Sequence, residues 1–252
     1  MNDRVRRAYG LSPDWQQEKL PIYYAGLDLG QVSDPSVLSI LEVEHTQHGK
    51  EIEPRKRELN LRYLERFPLH TSYPSIVTSV MKRMKALLPM GSLVVLLVDG
   101  TGVGRAVVDL FRDAKHEDVA LAPITFTSGN QVTPGDGSNE LHIPVRDLVG
   151  SAQIALQTKR LKWPKDMQWT KELVKELRAF KVKITLSKLG IPHDSYEAWR
   201  EGDHDDIVFA VAMACWAAAD AGHSIYGGKS EWGPSLYNRA RLAYSVLWYN
   251  RV

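Results

Sequence analysis

The apolar run IVFAVAMACWAAA, from Ile207 to Ala219, constrains the fold of this chain more than any other segment. It falls short of the roughly 18 residues that a membrane span needs, and it is opened by the charged HDD. A helix this apolar has to be covered on all sides, so it belongs in a core, across a sheet. The rest of the chain can supply one: 252 residues, 44% hydrophobic and 25% charged, bury a full core without disulfides. The single cysteine, Cys215, excludes a disulfide framework and a cysteine-based zinc site, so any metal sits on oxygen or histidine. Met1 is followed by polar residues rather than a signal peptide, which makes the expected location the cytoplasm, with no membrane partner. A net charge of +2 neither demands nor forbids a nucleic-acid partner.

Residues 1–21, with Arg4, Arg6 and Arg7, are expected to form an arm, 22–221 the domain, and 222–252 a tail with SLYNRARLAYSVLWY as a terminal helix. YYAGLDLG, SVLSILEVE and RELNLRYLERF read as an antiparallel meander of three strands, joined by SDP and by the polar HTQHGKEIEPRK. YPSIVTSVMKRMKALL spaces its apolar residues as a helix, SLVVLLVD is a central strand, GVGRAVVDLFRDA a helix and VALAPITF a strand. TSGNQVTPGDGSNELHI is a hairpin or loop; helices follow at PVRDLVGSAQIALQ and MQWTKELVKELRAF, then a short strand KVKITL and the apolar helix from Asp205 to about Asp220. The result is an α/β fold with a mixed central β-sheet flanked by α-helices.

Three acidic sites fall at the ends of apolar elements. Asp28 sits in the first strand, Asp99 closes the most hydrophobic strand, and Asp205 and Asp206 open the most hydrophobic helix. Carboxylates in such places are costly unless paired or bound to metal. With the first and fourth strands as neighbours and the last helix packed across them, all three converge at one end of the sheet. There they suit Mg²⁺ or Mn²⁺, and two such ions make the clamp used in phosphodiester hydrolysis. Taken singly, Asp99 before GTG also suits a turn, and Asp205 or Asp206 a helix N-cap.

GLDLGQVSDPS, LVVLLVDGTGVGRAVVDLF and EGDHDDIVFAVAMACW, in that order, resemble the nuclease domain of the large terminase subunit of tailed bacteriophages, within the RNase H-like superfamily. LHIPVRDLV, RLKWP and TKELVKELRAF resemble its middle region, and the likeness covers about Ile22 to Ala221. The resemblance implies an RNase H-like fold and metal-dependent cleavage of double-stranded DNA, with Asp28, Asp99 and one or both of Asp205 and Asp206 as ligands. Asp34 matches a further acidic position, although an Asp before Pro35 is also a turn former. His204 is placed to reach the metal site or a phosphate, or simply starts the helix. Asp205 is expected to be the primary ligand and Asp206 an auxiliary.

No GxxxxGK[ST] loop occurs, since DGTGVGR lacks the Lys and Ser or Thr that grip phosphate, so the chain is expected to be an excised nuclease domain or a free-standing relative. Its partners would be double-stranded DNA and a separate packaging ATPase, small terminase subunit or portal. Arg146, Lys159, Arg160, Lys162, Lys171, Lys175 and Arg178 belong to a locally basic region and are the expected DNA contacts, Arg146 foremost by the resemblance. Lys171, Lys175 and Arg178 share a helix face, which Glu172 and Glu176 would equally make a solvated one. Competing readings are another RNase H-like nuclease, such as a Holliday-junction resolvase or a transposase-like enzyme, and a non-catalytic DNA-binding or assembly module. An actin-like or sugar-kinase-like ATP-binding module needs a second phosphate loop and a larger, two-lobed chain.

Overall fold

The computed structural model describes residues 21–30, 34–47, 50–88, 93–101, 105–115, 118–136, 139–178 and 206–220. The expected arm, the tail and the strand KVKITL lie outside the described residues, apart from Pro21. An eight-stranded mixed sheet forms the middle layer. Its strands are β1 (Ile22–Asp28), β2 (Val37–Val43), β5 (Leu59–Arg66), β6 (Leu93–Asp99), β7 (Val119–Thr127), β8 (Thr133–Pro134), β9 (Leu141–Pro144) and β10 (Leu161–Lys162), in the order β10-β5-β2-β1-β6-β7-β9-β8.

The meander is present: β2 runs antiparallel to both β1 and β5. β6 lies parallel to β1, and β7 and β9 continue in the same direction. The sequence reading missed the smallest pieces. The polar link after β2 folds as a hairpin of β3 (Thr46–Gln47) and β4 (Lys50–Glu51) followed by a 3-10 turn at Pro54–Lys56. β10, which adds to the β5 edge, is another such piece, whereas the Gly-rich segment forms the hairpin expected for it, β8–β9. Two-residue strands carry no period, so pairing alone defines them.

Strand alternation splits the interior into two cores, one on each face of the sheet. Ala25, Leu27, Leu38, Leu96 and Val98 pack under α1 (Tyr73–Leu87) and α2 (Arg105–Ala114). Tyr24, Val37, Leu61, Val95, Leu97 and Ile124 pack under α3 (Val145–Gln157) and α5 (Asp206–Asp220), joined by Leu173 of α4, helical through 170–178. Ser72 caps α1, accepting from Ser75 N–H at 3.4 Å. α5 is the expected apolar helix, buried almost throughout: from Ile207 to Ala218 no residue exceeds 8% exposure. Its Cys215 is so enclosed that burial pushes the thiol up to about 12, and Trp216 is core. Helices thus cover both faces of the mixed sheet, the α/β layering expected from the sequence. Among the described residues no helix is long and apolar enough to cross a membrane.

α5 approaches the sheet closely because β1 offers a glycine. A Cβ on Gly26 would lie 2.1 Å from the Ala210 carbonyl oxygen, and Ser39 Oγ donates to that same oxygen at 2.8 Å. The close approach fixes the middle of α5 over β1 and β2.

Candidate active site

Leu27 of β1 pairs with Val98 of β6, so Asp28 and Asp99 stand side by side one position further on, on strands about 4.8 Å apart. Parity sets their direction. Tyr24 on β1, and Val95 and Leu97 on β6, face the core under α5, so Asp28 and Asp99 point to the same face. They are 2% and 0% exposed. The row continues outward: Asp28 is the partner of Val37, and Val37 of Arg66, which ends β5. Arg66, Val37, Asp28 and Asp99 thus form one line across adjacent strands. Asp206, the first residue of α5, sits above its Arg66 end, with Oδ2 3.7 Å from Arg66 Nη2.

Local turns hold the two strand ends. Gly30 N–H donates to Ser36 Oγ at 3.0 Å and Tyr73 Oη donates to the Gly30 carbonyl at 3.1 Å. A Cβ on Gly30 would lie 2.0 Å from the Asp34 carbonyl oxygen, so Asp34 and Pro35 pack tightly against the end of β1. Asp34 itself is exposed in that connection, at the same end of the sheet as Asp28. After β6, Thr101 N–H donates to Asp99 Oδ1 at 2.8 Å and Gly100 N–H to the Ile124 carbonyl at 2.8 Å. Asp99 therefore plays the turn role as well, committing one oxygen to it.

Glu176 is the residue that the sequence reading misplaced. It was expected among the solvated charges of α4, yet it is 8% exposed while Lys171, Lys175 and Arg178 face outward. Its Oε2 accepts from Ile207 N–H at 3.0 Å and Val208 N–H at 3.2 Å. These belong to the first turn of α5, whose N–H groups have no acceptor within the helix. Burial pushes the Glu176 carboxyl up to about 8, helped by the nearby Asp206 carboxylate; the two backbone N–H bonds and Arg66 pull the other way. One signal was available: Glu176 follows Leu173 by three positions, on the apolar side of α4.

The expected DNA contacts divide by position. Arg146 follows Pro144, the end of β9, and β9 runs parallel to β7, so Arg146 lies at the carboxylate end. Its side chain is 59% exposed and braced: Nη1 donates to Asn130 Oδ1 and Nη2 to the Asn130 carbonyl, each at 2.6 Å. Beside it runs an open groove walled by Asp147, Ser151, Ile154 and Trp216. Lys162 pairs with Asn60 at the start of β5, and six residues of strand up to Arg66 span about 20 Å. Lys159, Arg160 and Lys162 therefore stand at the opposite end of the sheet from the carboxylates, with Lys162 ion-paired to Glu58.

His204 and Asp205 lie outside the described residues. Among the described residues no group of three or more His, Cys, Asp or Glu side chains is arranged to hold a metal ion. The oxygen donors of Asp28 and Asp99 suit a hard cation, but as an open pair rather than a closed cage.

Solved structures similar to this chain include the following three. The large terminase nuclease from thermophilic phage G20c is 18% identical, over 77% of this chain and 81% of that one, with a TM-score of 0.45. The human cytomegalovirus terminase nuclease domain, in a manganese-soaked, inhibitor-bound structure, is 12% identical over 86% and 94%, with a TM-score of 0.46. Thermus thermophilus RuvC is 14% identical over 80% and 96%, with a TM-score of 0.38. No protein-family model matches the chain, and no curated protein matches it.

Proposed function

We propose that this chain is a metal-dependent endonuclease that cleaves double-stranded DNA with little sequence preference, of the kind used by terminases in viral genome packaging. The observation that carries this reading is the buried pair Asp28 and Asp99, side by side at parallel strand ends and facing the α5 side. Two carboxylates so placed repel each other in a poorly hydrated site, and a divalent cation relieves that repulsion. Asp28 and Asp99 would hold Mg²⁺ or Mn²⁺ together with Asp205, with Asp206, Asp34 and His204 as auxiliaries. A pair of such ions, when bound, supplies an activated water and stabilises the leaving oxygen of a phosphodiester. The set is open, as expected where substrate phosphate completes the coordination.

Arg66 balances Asp206 in the free protein and adds positive charge at the edge of the row. Arg146 and the exposed face of Lys171, Lys175 and Arg178 would grip backbone phosphates near the cut. Lys159, Arg160 and Lys162, about 20 Å away, would touch the duplex roughly six base pairs further on, at 3.4 Å per step. A separate packaging ATPase, small terminase subunit or portal would be the protein partner. Incubating the protein with plasmid DNA and Mg²⁺ or Mn²⁺ tests the reading: conversion to nicked or linear DNA that EDTA stops supports it, and intact supercoiled plasmid with either metal refutes it.

A further inference from the structure

We propose that Glu176 is a positioning residue of this nuclease centre: from α4 it fixes the first turn of α5, and with it Asp206, above the Arg66 end of the row that runs through Asp28 to Asp99. The inference rests on the endonuclease reading above. α5 meets the sheet through apolar contacts, which are non-directional, and the Gly26 close approach seats the helix at Ala210 and Met213 without setting the direction of its first turn. Directed polar contacts set it. Ser39 Oγ holds the Ala210 carbonyl, about one turn into the helix. Glu176 Oε2 takes the N–H groups of Ile207 and Val208, immediately after Asp206. The Arg66–Asp206 contact, at 3.7 Å, exceeds hydrogen-bond length and fixes little by itself.

The residue type supports the assignment. A carboxyl group 8% exposed is an expensive way to cap a helix, because burial penalises its charged form. The carboxyl group earns its place through geometry, because one oxygen receives two converging N–H groups and ties two helices that are distant in sequence. Loosening that tie leaves the core packed but lets the end of α5 drift, and a carboxylate displaced by an ångström is a poor partner for a cation shared with its neighbours.

Glu176→Met fills the same space without an acceptor, whereas Glu176→Gln keeps one. In the full chain, three quantities separate the roles: amide exchange at Ile207 and Val208 without metal, the Mn²⁺ concentration giving half-maximal plasmid cleavage, and the melting temperature. The Met variant is expected to exchange those two amides faster and to need about 10- to 100-fold more Mn²⁺, with a smaller change at saturating Mn²⁺. The Gln variant is expected to restore slow exchange and the lower Mn²⁺ requirement. Glu176→Ala replaces the Met variant should the latter not fold. A Met variant with changed melting but unchanged Mn²⁺ requirement would reduce Glu176 to a structural cap and overturn the proposal. Should the wild type cleave nothing with any metal, the endonuclease reading fails by itself, while unchanged exchange at Ile207 and Val208 in the Met variant would separately overturn the positioning role.

Discussion

Replacing Gly26 with alanine should displace α5 and carry its acidic end off the carboxylate row. The added Cβ would meet the Ala210 carbonyl oxygen at 2.1 Å and Met213 Cβ at 3.0 Å. An ordinary contact is above about 3.2 Å, so the helix backbone must retreat by roughly 1 Å, which also stretches the Ser39–Ala210 hydrogen bond. Overpacking of this kind costs about 1–3 kcal/mol. The loss of glycine's unfolded-state freedom returns about 0.4–1 kcal/mol. The net loss, about 1–2 kcal/mol, lowers the melting temperature by several degrees in a chain of this size. A 1 Å misplacement near the reacting groups lowers cleavage by about 100-fold, far more than the stability change implies. Gly150→Ala is the matched control. Nothing lies within 4 Å of the Cβ it adds inside α3, so it should stabilise by about 0.5–1 kcal/mol. Thermal melts and plasmid cleavage on both variants check the pair. A Gly26→Ala protein that melts at or above the wild type with full cleavage would refute the claim that this contact seats α5.

The buried carboxyl of Glu176 predicts a pH dependence. Its ordinary value is 4.5 and its folded value about 8. Below pH 4.5 both folded and unfolded chains hold the proton, so no penalty arises. Between 4.5 and 8 the unfolded chain releases it first, and stability falls as pH rises through that window. Melts from pH 4 to 9 should show wild-type stability declining across that window and Glu176→Gln declining less; parallel curves would contradict the assignment. DNA binding should weaken steeply with salt and show little sequence preference. The double variant Arg146→Ala with Lys162→Ala should weaken it about uniformly across sequences and reduce the log–log salt slope by about 2, as read by fluorescence anisotropy. Cleavage should not depend on ATP, which a plasmid assay with and without nucleotide checks.

Much of this was legible because strands and apolar helices write their burial as a period. β1, β2, β5 and β6 and the apolar helix α5 stood out in the sequence, and Asp28 and Asp99 were visible as charges at the ends of apolar strands. Their facing direction followed once β1 and β6 proved to be neighbours. Glu176 was hidden because TKELVKELRAF alternates acids and bases as a solvated helix does, while its hydrogen-bond partners lie 31 and 32 residues away. Arg66 was hidden as the ordinary polar end of an alternating strand. Its place in the row depends on pairings through Val37 that no local pattern encodes. The split of the basic region arose the same way. Lys162 belongs with Arg146 in sequence, yet the two-residue strand β10 lies along the start of β5 and takes Lys162 to the far end of the sheet.

The central claim is that Asp28 and Asp99 form the metal-dependent cutting centre, and plasmid cleavage in Mn²⁺ by wild type, Asp28→Asn and Asp99→Asn, with melts recorded in parallel, tests it most directly. Both variants are expected to leave the plasmid intact while melting at or above the wild-type temperature without metal, because each removes one charge from a repelling pair. Full cleavage by either variant in Mn²⁺ would contradict the assignment.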